Sequence, residues 1–502
     1  MKKILINEQP WQTRVAIIEN DLLQNIYFWS HAGNQIERCF FKGTITKVLP
    51  GIQTAFVEIG QEKSGFLHVS EIDRDLAINK MSEGLDHIET TSKKEKPLEY
   101  RPIDISKVLK ENEDILIQIS KEPVNEKGAK LTTCYTLPGR FLVLMPNIGR
   151  VGTSKKIEDR DERNRLKELV IKNLPEGMGA IIRTCSENRT EQEIKQDLTY
   201  LLKSWDDIQA AYDKAIAPAK IYQDINLAFQ VIRDHLDEDI ESVIIDNKES
   251  QKDLAHYVKE IAPEYSAKIQ LYTGSQPLFE KYDIEEQIKD SLHSKVDLKS
   301  GGSIVIEATE AMTVVDVNTG RFIGKTNLED TILKTNLEAA QEVVRQLKVR
   351  NIGGLIVIDF IDMATHANRQ KLFKFFEKTL KDQDKFQSVV LKISEFGLVQ
   401  MTRKRSGKTL AKQLTDDCST CKGTGFTPSV RAESYKVLQN IKQELESKGK
   451  GTITLKLNPQ VFEHISTIEY QTLFDFEKKH DCKIILQSQK GLEITQFLLE
   501  TE

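Results

Sequence analysis

AMTVVDVN at 311–318 and GGLIVIDFIDM at 353–363 are two apolar runs, and both carry carboxylates at their ends. Between them Leu333, Leu337, Ala340, Val344 and Leu347 recur at helical spacing. Thr326 and Glu329 match S/T-x-x-E, a capping box at the start of that helix. Gly353 and Gly354 mark its stop. Strand, helix, strand reads as a βαβ crossover, which lays two strands side by side and parallel. Asp316 and Asp359 then fall near the carboxyl ends of neighbouring strands, where open sheets hold their sites. A carboxylate after a buried run needs a partner or a metal, because ionised groups are costly to bury. Two hard oxygen donors plus the amide of Asn318 suit Mg²⁺, which keeps several waters and favours phosphate ligands. The plainer alternative makes Asp316 a turn cap and pairs Asp359 with an arginine. Strand alternation sets Asp362 on the face opposite Asp359.

Working outward, MTRKRSGKTLAK at 401–412 offers Arg403, Lys404, Arg405, Lys408 and Lys412 as a phosphate track beside that site. Cys418 and Cys421 stand as C-S-T-C followed by K-G-T-G. Thiolates at that spacing can share one tetrahedral Zn²⁺, but a closed site needs four ligands and there is no second pair. A redox CxxC competes with this, although the expected thioredoxin-like βαβ setting and aromatic neighbour are not evident. Residues 426–502 read as a small α/β module.

Upstream, 40–72 alternates apolar and polar residues between Pro50, Gly51, Gly60 and Gly65, as the short strands of a small barrel do. Phe56 and Phe66 are either barrel core or exposed base-stacking rings. Residues 76–112 interrupt the pattern as an inserted loop. Residues 134–215 give a strand, a helix and the strand GMGAIIRT, which ends at Arg183 and Thr184. Residues 216–290 alternate helix and strand. Their Asp234, Asp237 and Asp239 read as solvated helix-end charges. Residues 1–35 are short strands, with Trp11 and Trp29 expected in the core.

At about 150 residues per domain, 502 residues give three or four domains. A hydrophobic fraction of 39% supplies real cores. No apolar run reaches the length of a membrane span, and the first residues lack the h-region of a signal peptide. The net charge of −5 does not announce a nucleic-acid binder, so any such site is a local patch. Six scattered cysteines do not make a disulfide framework, which suggests a reducing cytoplasm.

MTVVDVNTGRFIGKTNLEDTILKTNLEAA together with RQLKVRNIGGLIVIDFIDM closely resembles the ribonuclease E/G family of bacterial endoribonucleases. Among its members the chain looks most like the shorter type, without a long C-terminal scaffold tail. The resemblance implies a multidomain α+β and α/β protein. Residues 1–35 with 216–290 would form a discontinuous RNase H-like domain, and 36–133 an S1 (OB-type) RNA-binding barrel. Residues 134–215 would hold a 5′-phosphate sensor, 291–414 a DNase I-like catalytic domain, 415–425 a zinc link, and 426–502 a small dimerisation domain. It implies catalysis by Asp316, Asn318 and Asp359, with Mg²⁺ on the two aspartates and Asn318 toward the water or the scissile phosphate. It places RNA on Phe56, Phe66, Lys121 and Lys127. A 5′ phosphate would meet Gly139 and Val143 through backbone, and Arg183 and Thr184 through side chains. A second arginine common near that pocket is replaced here by a segment offering Lys385 or Gln387. Zn²⁺ would be shared by Cys418 and Cys421 of two chains, giving a homodimer or a dimer of dimers. The implied substrate is single-stranded RNA (ribosomal precursors and messenger RNA), cut to leave 5′-phosphate and 3′-hydroxyl ends. The competing readings are a non-catalytic S1-type RNA-binding protein and a metal phosphodiesterase acting on DNA.

Overall fold

The computed structural model describes residues 1–31, 36–72, 105–123, 128–154, 156–223, 226–320, 328–394, 397–405, 407–448 and 451–501. The chain divides into two compact units, Met1–Ala411 and Lys412–Glu502.

In the first unit, β1 (Lys2–Gln9), β2 (Gln12–Glu19) and β3 (Leu22–Ser30) form an antiparallel meander. Ile4 and Ile6 face one core and Leu5 the other, so a continuous apolar run serves a strand covered on both sides. Trp11 is 67% exposed in the β1–β2 turn, contrary to its expected place in the core; the turn projects it away from both faces.

β4 (Phe40–Leu49), β5 (Thr54–Glu58), β6 (Gly65–His68), β7 (Asp114–Lys121) and β8 (Lys130–Thr132) close a five-stranded barrel in the order β4-β5-β6-β8-β7, with β7 returning to β4. Phe41, Ile45, Val57, Leu67, Ile117 and Leu131 fill it. Ile105 and Leu109, in and after a short helix, add to that core, so the insertion expected over 76–112 stops short of Ile105. The part of it at 76–104 lies outside the described residues.

β9 (Leu137–Pro138), β10 (Leu142–Met145), β11 (Val151–Thr153) and β12 (Gly179–Ile182) form a sheet packed on helices Arg160–Asn173 and Glu191–Lys214. β13 (Ala219–Tyr222) pairs with β4, so a strand expected on the far side of a boundary at 216 extends the barrel sheet instead. β14 (Ile240–Ile245) and β15 (Ile269–Leu271) run parallel to β1 and complete a five-stranded sheet, β15-β14-β1-β2-β3.

A six-stranded sheet is built from β16 (Lys295–Asp297), β17 (Ser303–Ala308), β18 (Met312–Asn318), β19 (Gly354–Asp359), β20 (Ser388–Val390) and β21 (Leu398–Arg403), ordered β16-β17-β18-β19-β21-β20. β18 and β19 are parallel and joined through helix Leu328–Val349. Thr313, Val315 and Val317 turn inward, while Asp316 and Asn318 turn out. Ala339, Ala340, Val343, Val344 and Leu347 of the helix pack beneath them, with Leu372 and Phe376 of helix His366–Gln383. The first of these helices ends at Val349, and Asn351, with a φ of +49°, takes the left-handed conformation two residues before the glycines. Gly353 serves a close approach instead: a Cβ there would sit 2.9 Å from the Arg405 Cα.

In the second unit, β22 (Thr452–Leu457), β23 (Lys483–Ser488) and β24 (Phe497–Thr501) form a sheet ordered β23-β22-β24. β22 and β23 are parallel, and helices Pro459–Thr467 and Tyr470–His480 cross between them. Val437, Leu438, Ile441 and Leu445 of helix Val430–Lys448 supply the core. No helix of the described residues is long and apolar enough to cross a membrane.

Candidate active site and nucleic-acid surfaces

The β18–β19 ladder runs from Met312 opposite Leu355 to Asp316 opposite Asp359. The two carboxylates therefore leave one sheet face side by side, on strands about 4.8 Å apart. Asn318 Nδ2 donates to Asp316 Oδ2 at 2.8 Å. All three residues are exposed, so the burial cost argued from sequence does not apply: both apolar runs end where the sheet meets water. Neither aspartate has an ion-pair partner among the described residues. The Asp359 carboxyl is shifted upward by partial burial and then by the charges of Asp316 and Asp362. Strand alternation does not decide the place of Asp362. β19 stops at Asp359, so the two-residue period does not carry on to Asp362, which lies near its neighbour. Among the described residues, no three His, Cys, Asp or Glu side chains stand together as a metal cage.

Glu329 does not act at the start of its own helix alone. It accepts from the backbone N–H of Thr365 at 3.1 Å and from Asn368 Nδ2 at 3.2 Å, which ties it to the next helix. Thr326, its expected capping partner, lies outside the described residues.

Arg403 is not part of a surface cation track. It is 3% exposed and forks onto Asp384, Nε to Oδ2 at 2.6 Å and Nη2 to Oδ1 at 3.1 Å, with Nη1 donating to the Ile352 carbonyl at 2.6 Å. β21 alternation turns it inward. Lys404, Arg405 and Lys408 are exposed, and Lys412 belongs to the second unit.

A cleft of about 460 Å³ opens at the end of β12. Val143, Arg183, Thr184, Asp234, Lys385 and Gln387 are among its lining residues. Arg183 Nη1 pairs with Asp234 Oδ1 at 2.7 Å and donates to the Gly139 carbonyl at 2.7 Å. Thr184 Oγ1 is 2.9 Å from Ser154 Oγ. Gly139 does not line the cleft. A Cβ on it would meet the Asp197 carboxylate at 2.7 Å, and that carboxylate accepts the backbone N–H groups of Arg140, Phe141 and Leu142 at 2.8–2.9 Å. Asp234 is no solvated helix-end charge. Burial pushes its carboxyl upward, but Arg183 and Arg233 outweigh that and hold it at about 2. Lys385 Nζ donates to the Asp234 carbonyl. Burial, reinforced by Lys2, brings its ammonium down to about 8. Sequence reading offered Lys385 or Gln387 without a choice; both line the cleft, and Lys385 brings the charge.

On the barrel, Phe56 pairs with Phe66 across β5 and β6, and both are half-buried. Lys47 pairs with Phe56, Lys130 with Phe66, and Lys121 with Lys130. The five side chains form one row across the barrel's outside, away from the core residues. Lys130 is held by Glu71 at 2.5 Å, and Lys121 is exposed. Lys127 lies outside the described residues. Lys47 and Lys130 were missed because strand register, which sequence does not display, is what brings them beside the rings.

Cys418 is exposed and Cys421 partly so, and both are free thiols. The N–H groups of Cys421 and Thr420 face the Cys418 sulfur and favour its thiolate. The CxxC lies ahead of helix Val430–Lys448, outside the β22–β23 crossover.

The closed barrel, the cleft at the end of β12 and the paired carboxylates all belong to the first unit. The family model described as Ribonuclease E/G family matches residues 136–406, and the one described as RNase E/G, thioredoxin-like domain matches 417–502. Ribonuclease G of Escherichia coli strain K12 is 37% identical over 475 residues, 95% of this chain and 94% of that protein. Ribonuclease G of Haemophilus influenzae is 37% identical over 463 residues, 92% of this chain and 91% of that one. Ribonuclease E of E. coli K12 is 36% identical over 496 residues, which is 98% of this chain but 44% of that protein.

The chain belongs to the ribonuclease E/G family. Membership makes it an endoribonuclease. It also corrects one expectation: the second unit is thioredoxin-like, with a parallel strand pair crossed by helices, although its CxxC stands outside that crossover.

Proposed function

We propose that the chain is a Mg²⁺-dependent endoribonuclease that cuts single-stranded RNA and leaves 5′-phosphate and 3′-hydroxyl ends. The observation that carries this reading is the last rung of the β18–β19 ladder, Asp316 opposite Asp359, with no cation among the described residues to relieve their repulsion. Mg²⁺ fits such a pair, because it is commonly held by one or two carboxylates plus water and substrate phosphate. The chemistry it would supply there is charge neutralisation on the phosphodiester and a lowered pKa for water. Asn318 holds the Asp316 carboxylate in place through its amide. The row Lys47, Phe56, Phe66, Lys130 and Lys121 supports RNA binding by stacking and phosphate contact. Arg183, Thr184 and Lys385 are suited to a terminal 5′ phosphate, with Val143 beside them and Gly139 acting through its carbonyl on Arg183.

In this reading residues 1–35 with 216–290 form an RNase H-like support, and 291–414 a DNase I-like catalytic domain. Cys418 and Cys421 give two of four Zn²⁺ ligands, and a second chain gives the others. Ribosomal precursors and messenger RNA are the substrates proposed here, as the resemblance to the ribonuclease E/G family implies. Incubating purified protein with 5′-monophosphorylated single-stranded RNA, with Mg²⁺ and with EDTA, tests the core of the proposal. Cleavage that persists in EDTA would overturn it.

A further inference from the structure

A pocket of about 250 Å³ opens just past the end of β19, and Ile361, Asp362, Arg369, Ile393 and Gly397 help to line it. Asp362 follows Asp359 by three residues, and its charge is felt by the Asp359 carboxyl. Arg369 lies in the first turn of helix His366–Gln383. Its Nε is buried without a hydrogen-bond partner. Among the described residues, neither the Arg369 guanidinium nor the Asp362 carboxylate forms a hydrogen bond or ion pair, although both face the same small space. Arg369 is half-buried and Asp362 exposed, so one buried donor and two open charges stand ready for a ligand that fills the pocket. Gly397 keeps the space open: its φ is +80°, and a Cβ there would come within 3.2 Å of Asp362 Oδ1.

The two charges narrow the occupant. A free phosphate would meet the negative Asp362, and a bare cation would meet Arg369. A ribonucleotide carries an anionic phosphate and a hydroxyl donor a few ångströms apart, and so answers both. We propose that this pocket is a ribonucleotide subsite next to the cleaved bond, in which Arg369 takes the neighbouring phosphate and Asp362 accepts the ribose 2′-hydroxyl. This rests on the endoribonuclease reading of Asp316 and Asp359. Asp362 is then a substrate contact and not a third metal ligand, and it is the group by which the site tells RNA from DNA, since the 2′-hydroxyl is the difference between them.

The test uses short 5′-monophosphorylated oligonucleotides, either all-ribo or with one 2′-deoxy residue at successive positions around the cleaved bond. Binding is measured by fluorescence anisotropy in EDTA, and cleavage separately in Mg²⁺. Wild-type protein should show one position at which the deoxy residue weakens binding by roughly 10-fold, as loss of a hydrogen bond to a charged group does. Asp362→Ala should weaken all-ribo binding by a similar factor and lose that position's penalty. Arg369→Ala should weaken ribo and deoxy strands equally, and Arg369→Lys should recover part of the loss. No sensitive position in the wild type, or a penalty that survives Asp362→Ala, overturns the subsite. Cleavage without any deoxy penalty leaves the endoribonuclease reading intact and removes the subsite. A deoxy penalty in binding without metal-dependent cleavage does the reverse.

Discussion

Asp316 and Asp359 are exposed and make few contacts, so alanine at either position should leave folding within about 0.5 kcal/mol of wild type. Cleavage should nevertheless be lost in both variants, while RNA affinity stays within about threefold, because the barrel row is untouched. Cleavage assays run beside binding titrations decide this; normal turnover in Asp316→Ala would remove the assignment. Lys385 gives a second expectation, one of pH. With its pKa at about 8, the ammonium is present below that pH and lost above it. Any preference for a 5′-monophosphate over a 5′-hydroxyl end should therefore shrink as pH rises from about 7 to about 9. Lys385→Arg should hold the preference flat over the same range, since a guanidinium stays charged. At this scale the aspartates were legible because hydrophobic period and crossover topology fix which strand ends meet. Arg403 was not. A cation among four others reads as surface, and its partner Asp384 is delivered from the C-terminal end of helix His366–Gln383, a tertiary contact that no local pattern reveals.

Among the elements, β21 carries that buried fork. Arg403→Leu would strand the Asp384 carboxylate, whose side chain is 2% exposed, without a counter-charge. Breaking one side of such a pair costs roughly 3–5 kcal/mol, which urea unfolding would register as a lowered midpoint. An unchanged midpoint would mean that water reaches Asp384. The barrel strands give a different expectation. Phe56→Ala and Phe66→Ala should each weaken RNA binding by roughly 1–3 kcal/mol and leave the barrel folded, because the rings sit outside its core. Anisotropy titrations with an unstructured RNA measure the first point, and thermal melts the second. Alternation on β4 and β5 announced a barrel. It did not say which side Phe56 and Phe66 take, since both lie in strands where every second residue is apolar; register settled that.

For the whole molecule, the proposed Zn²⁺ site leaves a single CxxC in need of two more ligands. If two chains share the ion, metal content should be about one Zn²⁺ per two chains, and Cys421→Ser should lose both zinc and dimer. Metal analysis with light scattering reads both. One zinc per chain would point to ligands within the chain instead. Division into several cores was legible from length and from changes of period. The thioredoxin-like character of 417–502 was not, because its parallel pair, β22 and β23, is separated by two helices and only the backbone ladder declares it.

The barrel's closure has a practical corollary. β4, β5, β6, β8 and β7 each keep at least two hydrogen-bonded neighbours. A ring of strands offers no open edge to a strand from another molecule, so this barrel should stay free of edge-to-edge aggregation even when the protein is concentrated.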